Sequence, residues 1–216
     1  MKNEMGNQAK MYKQKPDSTG LYGFKATWVG PQGIKQIADN MPSGADKWAS
    51  AGTLLAFLTG GGYIETSITY ASSISGQSVG WKFWCGLNGS GPYQSLTNDP
   101  TNKSVGLTLK KVGTTWHAIY NNFTDNENYD VVIPNAPNQT LNTSDVTWLM
   151  HETSTNTGSC VTPYSSFIDI DFNNVKYLDS SGNPTSQVPT AMGQLIDTNM
   201  SGCIAIDETH EKIYHL

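Results

Sequence analysis

The chain has 216 residues, of which 14% are charged, and its formal net charge is −5. All 13 basic residues are lysines. Nucleic-acid recognition needs a cationic face and favours arginine contacts to bases, so the composition argues against a nucleic-acid partner. No apolar run reaches 18 residues, so we expect no membrane span. Six Trp, ten Tyr and six Phe provide enough apolar surface for a folded core.

The N-terminal region is polar and carries four lysines between residues 2 and 15. We expect residues 1–20 to form a flexible arm and residues 21–216 to form a single domain. The arm lacks the apolar segment of a signal peptide. The Ser-, Thr- and Asn-rich composition nevertheless favours an extracellular protein, so we expect secretion with no signal peptide visible in this chain.

The pattern along the domain is one of short strands between turns. A strand over residues 23–29 ends at Gly30-Pro31-Gln32-Gly33, and residues 34–50 are the only helical stretch, cut short at Pro42. Further strands are predicted at residues 54–58, 63–70, 79–87, 104–111, 115–121, 131–133, 146–152, 167–172, 175–178 and 203–206. This rhythm without βαβ units predicts an all-β fold, namely a two-sheet antiparallel β-sandwich of the concanavalin type.

The sequence contains no recognisable motif for metal binding or for a serine nucleophile. The four histidines show no metal-ligand spacing, and there is no GxSxG nucleophile motif. We therefore expect no metal and no cofactor. The three cysteines allow at most one internal disulfide, and their pairing stays open.

Two glutamates in predicted strands are the candidate catalytic residues. Glu65 lies in the middle of residues 63–70, whose apolar and polar side chains alternate, and Glu152 ends residues 146–152. A carboxylate on a partly dry face is costly unless it is paired. Two carboxyls that face each other shift apart in pKa, so that one stays ionised while the other keeps its proton. Spacing alone leaves open that both are ordinary surface residues.

The segment Tyr63-Ile64-Glu65-Thr66-Ser67, followed by the aromatic strand Gly80-Trp81-Lys82-Phe83-Trp84, resembles the first active-site strands of the glutamic peptidases. Eqolisins carry Gln at the position of Glu65 and neprosin-type relatives carry Glu, so within this superfamily Glu65 fits the neprosin type better than the eqolisin type. Residues 146–152 resemble the Ala-Glu-Trp-x-x-Glu strand of the family, and Cys160-Val161-Thr162-Pro163-Tyr164 resembles the passage that follows it. The resemblance covers about residues 60–180.

This resemblance implies an acid-acting endopeptidase that hydrolyses peptide bonds, and the neprosin-type relatives imply cleavage after proline. Glu65 and Glu152 would be its catalytic pair, and Trp81, Trp84, Trp148 and His151 would line the substrate groove. In the family the Trp and the Glu of the second motif are three residues apart, whereas Trp148 and Glu152 are four apart. His151 occupies the matched position, so the residue that faces Glu65 could be Glu152, His151 or neither.

The alternative is a non-catalytic β-sandwich module of the lectin kind, which would bind a carbohydrate or a peptide. Lectins share this sandwich, and a fold does not fix a function. Exposed aromatic side chains could stack on sugar rings. The two alternatives differ in partner, which is a polypeptide substrate in the first and a glycan in the second; the oligomeric state is left open.

Overall fold

The computed structural model describes residues 7–13, 20–41, 46–143, 145, 147–154, 168–186, 191–196 and 202–216. These ranges contain the strands β1 (Asn7–Lys13), β2 (Gly23–Val29), β3 (Lys47–Phe57), β4 (Tyr63–Ser73), β5 (Gly80–Leu87), β6 (Tyr93–Ser95), β7 (Ser104–Val112) and β8 (Thr115–Asn122). They continue with β9 (Glu127–Val132), β10 (Trp148–Thr153), β11 (Asp169–Asp171), β12 (Asn173–Leu178), β13 (Ala191–Ile196), β14 (Ile204–Asp207) and β15 (Lys212–His215). The helix α1 (Ile34–Asp39) lies between β2 and β3, and no helix in the described ranges is long and apolar enough to cross a membrane.

The strands form two large sheets and one small sheet. The seven-stranded sheet has the order β13-β1-β10-β3-β4-β5-β6, and the five-stranded sheet has the order β12-β2-β7-β8-β9. Strands β11, β15 and β14 form the third sheet. All pairs within these sheets are antiparallel. The prediction of an all-β antiparallel sandwich is confirmed.

The core lies between the two large sheets because each strand has one apolar face. On β4, the even-numbered Ile64, Ile68 and Tyr70 belong to the core cluster. On β5, Phe83 points to the other sheet, where its ring packs against Tyr120 of β8 with the centroids 5.9 Å apart. Alternation along a strand therefore places the odd-numbered residues of β4 on the opposite face.

The structure differs from the sequence analysis in three places. Part of the expected flexible arm, Asn7–Lys13, is strand β1, which pairs with β10 on one side and β13 on the other. The helix lies at the start of the expected helical stretch and is six residues long, whereas residues 47–50 of that stretch belong to β3. The C-terminal residues form β15 between β11 and β14. In β1 and β15 the neighbouring strands supply the hydrogen bonds, so the local sequence carries little periodic signal.

A bulge in β3 adjusts the register at the centre of the seven-stranded sheet. Thr53 pairs with Ser67 while Ser50 pairs with Thr69, so β3 uses one residue more than β4 between these pairs. The extra length lies at Ala51-Gly52. The Trp28 indole N–H donates to the Ala51 carbonyl at 2.7 Å, and a Cβ on Gly52 would lie 2.5 Å from the same ring.

The bulge predicts a large cost for Gly52→Ala. Gly52 has φ of 129° and no space toward Trp28, so we expect the free energy of unfolding to fall by about 2–4 kcal/mol in urea denaturation. Gly76→Ala is the matched control, because Gly76 has φ of 78° but nothing within 4 Å of the added Cβ. Its cost should be only about 1–2 kcal/mol; equal losses in the two variants would contradict this account of the bulge.

Candidate active site

Glu65 lies on the face of the seven-stranded sheet that points away from the five-stranded sheet, which we call the outer face. Its neighbours on this face of β4 are Tyr63, Ser67 and Thr69. The face is recessed rather than open, since Ser67 and Thr69 are only 3% and 4% exposed. The Ser67 hydroxyl satisfies its hydrogen bonds with Thr53 Oγ1 at 2.9 Å and Thr69 Oγ1 at 3.0 Å.

Glu152 reaches the same outer face from β10. Trp148 pairs with Leu55, which pairs with Glu65, so Trp148 shares the face of Glu65. Glu152 is four residues beyond Trp148, and an even step along a strand returns to the same face. The Glu152 backbone N–H donates to Ser50 Oγ at 2.7 Å, next to the β3 bulge.

The two carboxyls act on each other electrostatically. Glu65 is 6% exposed, and burial raises the pKa of its carboxyl well above the ordinary value. The negative charge of Glu152 raises this pKa further, whereas a hydrogen bond from the Gly89 backbone N–H lowers it. Burial is the largest of the three effects. The arrangement favours a neutral Glu65 beside the half-buried Glu152.

The negative charges of Glu65 and Glu152 also affect two nearby tyrosines, Tyr63 and Tyr93. Burial and then the charges of Glu65 and Glu152 raise the pKa of Tyr63 to about 12. The pKa of Tyr93 is also raised to about 12, by burial first and then by Asp46, Glu65 and Glu152. Both phenols therefore keep their protons at any pH at which a carboxyl titrates, and they are hydrogen-bond donors near the pair.

Aromatic rings flank Glu65 on both sides. Phe57 of β3 contacts Trp148 and Tyr63, with ring centroids 5.6 Å and 5.9 Å apart. On the other side, Trp84 of β5 pairs with Tyr93 of β6, at 6.1 Å between centroids. Trp84 and Trp148, both predicted groove residues, are thus half-buried on the outer face.

The predictions that Trp81 and His151 line the groove are wrong. Gly86 pairs with Glu65, so the odd-numbered Trp81 lies on the core face of β5, where it packs on Tyr70 at 5.3 Å. His151 is fully buried, and its Nδ1 lies 2.8 Å from the Ser50 carbonyl oxygen. Burial lowers the pKa of His151 to about 4. The four-residue spacing thus puts Glu152, not His151, on the face of Glu65.

The sequence analysis missed the Asn88-Gly89 turn, and it did not place Tyr63 or Tyr93 beside the two glutamates. The turn had a recognisable signal, because Asn-Gly between two strands is the preferred sequence of a type I′ hairpin. No sequence signal marked the two tyrosines, because tyrosine is common in strands, both in the core and on the surface.

The described residues contain no group of three or more His, Cys, Asp or Glu side chains that could hold a metal ion. Cys203 is disulfide-bonded, and Cys85 is a free buried thiol. Burial raises the pKa of Cys85 to about 12, so it is not a nucleophile at neutral or acidic pH.

No match is found to models of known protein families or to curated protein sequences. Among solved structures, a crystal structure of scytalido-glutamic peptidase with a transition state analog inhibitor is similar over 99% of this chain and 98% of that chain, with a TM-score of 0.54 at 10% identity. The chain has the fold of a glutamic peptidase. A second crystal structure of that peptidase, with a peptide based transition state analog, gives a TM-score of 0.51 at 11% identity over the same shares.

The raised pKa of Glu65 predicts a pH-dependent stability. The folded state holds the Glu65 proton more tightly than the unfolded state, so stability is lost as pH rises from about 4.3 through the folded pKa. Glu65→Gln removes this loss. We expect the variant to gain about 1–3 kcal/mol over wild type at pH 7, measured by urea denaturation, and little below pH 4.

The control for this measurement is Glu208→Gln, at a glutamate in the turn between β14 and β15. It should shift stability equally at both pH values. A Glu65→Gln difference that is the same at pH 7 and below pH 4 would contradict a raised pKa of Glu65.

The lowered pKa of His151 predicts that this residue makes the protein less stable as pH falls, the opposite of the effect of Glu65. Its folded pKa of about 4 lies below the ordinary value of 6.5, so stability falls as pH drops through this interval, by about 3 kcal/mol in all. In His151→Gln, the loss of unfolding free energy between pH 7 and pH 4 should be smaller by about this amount. A His151→Gln variant that keeps the pH dependence of wild type would contradict a His151 held neutral by burial.

Proposed function

We propose that the protein is an acid-acting glutamic endopeptidase in which Glu152 is the general base and Glu65 is a neutral hydrogen-bond donor. The observation that carries the proposal is the coupling of two carboxyls on one recessed face, of which the more buried keeps its proton. The peptidase fold is consistent with it. The presence of Glu rather than Gln at position 65 favours a relation to the neprosin type.

The reaction follows from these two protonation states. Ionised Glu152 takes a proton from a water molecule, whose oxygen attacks the scissile carbonyl carbon. The neutral Glu65 O–H donates to the carbonyl oxygen and stabilises the negative charge that develops there. Glu152 then gives its proton to the amide nitrogen as the C–N bond breaks, which returns Glu152 to the ionised state. Glu65 keeps its proton throughout.

Activity should be confined to acidic pH because it requires a protonated Glu65 and an ionised Glu152. As pH rises through the pKa of Glu65, the donor is lost and a second negative charge appears beside Glu152. As pH falls, Glu152 is protonated and cannot accept a proton from water. The two limbs of the pH profile therefore belong to the coupled pair rather than to either residue alone.

The aromatic rings beside Glu65 suggest the substrate residue next to the scissile bond. Phe57, Tyr63 and Trp148 offer flat apolar surfaces, on which the rigid pyrrolidine ring of proline would pack with little loss of entropy. We propose cleavage next to proline as the preference. Peptides that differ only in Pro or Ala at this residue test it, and equal kcat/KM values would contradict it.

We also propose that the protein is extracellular. The disulfide at Cys203 supports an oxidising compartment. Detection of the native protein in the culture medium or in the cell lysate decides this point.

The mechanism predicts unequal effects of substitution at the two glutamates. Glutamine is isosteric with a neutral glutamic acid and keeps an N–H donor, so Glu65→Gln should retain activity within about 100-fold and lose less activity as pH rises. Glu65→Leu and Glu152→Gln should each lower kcat by about 1000-fold or more. The measurement is hydrolysis of a denatured protein between about pH 3 and pH 7.

Glu208→Gln is again the control and should match wild type. Full activity in Glu152→Gln, or complete loss in Glu65→Gln with an intact fold, would contradict the assigned roles. Absence of hydrolysis by the wild type at any pH, together with binding on a glycan array, would support the lectin alternative.

A further inference from the structure

Lys82 of β5 is a lysine buried on the outer face. Gly86 pairs with Glu65, and an even step along β5 from Gly86 to Lys82 keeps Lys82 on the same face. The residue is only 2% exposed. A buried ammonium group is costly unless hydrogen bonds or an opposite charge replace its hydration, so the partners of Lys82 decide what it can do.

Two serine hydroxyls are the hydrogen-bond partners of the Lys82 ammonium group. Its Nζ donates to Ser78 Oγ at 2.7 Å, in the turn before β5, and to Ser95 Oγ at 2.9 Å, directly opposite on β6. None of the ion pairs among the described residues includes Lys82. The Asp46 carboxylate, which also contacts this turn, accepts the Ser75 backbone N–H at 3.0 Å.

The arrangement directs donor hydrogens away from the lysine. Each serine oxygen accepts a bond from Nζ, so its own O–H hydrogen points elsewhere, and both serines are exposed. Hydrogen bonds in a chain strengthen one another, so the buried charge makes the two hydroxyls better donors. Ser78, Lys82 and Ser95, which we call the serine-lysine site, thus offer two exposed O–H donors backed by a cation, and this set suits an anionic group.

The sheet sets the distance from the serine-lysine site to the two glutamates. Lys82 and Gly86 are about 13 Å apart along β5, at roughly 3.3 Å per residue. Trp84 lies between them on the same face, with its ring against that of Tyr93. An extended peptide covers this span in about four residues, and it would pass over the two rings on the way.

We propose that the serine-lysine site is a carboxylate-binding subsite that selects substrates with an acidic side chain about four residues from the scissile bond. This role rests on the proposed function, which supplies the peptide and places the scissile bond beside Glu65. The subsite adds a preference for charge that the aromatic rings beside Glu65 do not provide.

The first test compares peptides that differ only in Glu or Gln at one position, scanned along both sides of the scissile bond. The peptides are amidated at the C-terminus, and the assay is run at about pH 5, where a free glutamate is mostly ionised. In wild type, kcat/KM should be about tenfold higher for Glu than for Gln at one position, since hydrogen bonds to a charged group are the stronger kind. A gain that appears only with a free C-terminal carboxylate would overturn the side-chain assignment.

The second test removes the charge with Lys82→Met. The Glu/Gln ratio of kcat/KM at the selected position should fall to about 1, whereas a lysine that only holds the turn in place would leave this ratio unchanged. Methionine keeps an unbranched apolar stem, and replacing a buried charge by an apolar group is often neutral or stabilising. Ser78→Ala and Ser95→Ala should each lower the ratio about threefold, and they provide the reading if Lys82→Met fails to fold.

The matched control is Lys111→Met. Lys111 of β7, in the other large sheet, is also buried, and its Nζ donates to the Gly113 carbonyl at 2.6 Å. This variant loses the same charge and should keep the Glu/Gln ratio of wild type.

Equal kcat/KM values for Glu and Gln at every position in wild type, or an unchanged ratio in Lys82→Met, overturn the subsite and leave the proposed function standing. A wild type that hydrolyses none of the peptides sinks the proposed function. Binding of the same uncleaved peptides, followed by fluorescence anisotropy in wild type, Lys82→Met and Lys111→Met, then decides the subsite: a Glu preference lost only in Lys82→Met supports it, and equal Kd values contradict it.

Discussion

The candidate site depends on the register of three neighbouring strands, β10, β3 and β4. Side chains alternate between faces with a strict period of two, so a shift of one residue in either pairing would separate the two glutamates. The bulge at Ala51-Gly52 lengthens β3 without breaking the alternation on β4 or β10. Trp28 fills the space beside the bulge and bonds to the Ala51 carbonyl. A core tryptophan of the opposite sheet thus supports the geometry of the outer face.

Within that frame, burial and hydrogen bonding act on Glu65 in opposite directions. Burial and the neighbouring carboxylate favour the proton, whereas the Gly89 N–H favours the charge, and burial is the larger effect. The balance favours a neutral Glu65 carboxyl. The polar side chains around Glu65 hydrogen-bond to one another, as Ser67 does to Thr53 and Thr69. These bonds offset the cost of burying the hydroxyl groups.

Much of the architecture could be predicted because its signals are local. The alternation in residues 63–70, the hairpin at residues 104–121 and the absence of a βαβ rhythm all report backbone state directly. Strands β1 and β15 escaped prediction since their pairing partners, rather than their own residues, determine them. Glu65 was singled out by its mid-strand place together with the resemblance to the glutamic peptidases, and its buried surroundings could not be predicted from the sequence.

The sequence alone could not show which residues of β5 and β10 lie on the outer face with Glu65. Trp81 and Trp84 look equivalent in an aromatic strand, and only the pairing of Gly86 with Glu65 tells which shares the site. His151 and Glu152 are adjacent, and the same kind of long-range register decides between them. Such pairings join residues far apart in the chain, so no local pattern records them.

The Asn88-Gly89 turn limits how this edge of the outer face can change over generations. Both residues have positive φ, which most side chains adopt only at a cost. The turn is joined to β4 by the bond from the Asn88 N–H to the Tyr63 carbonyl, a main-chain bond that only a proline at position 88 would remove. Substitutions at these two positions are therefore restricted by backbone shape more than by side-chain chemistry.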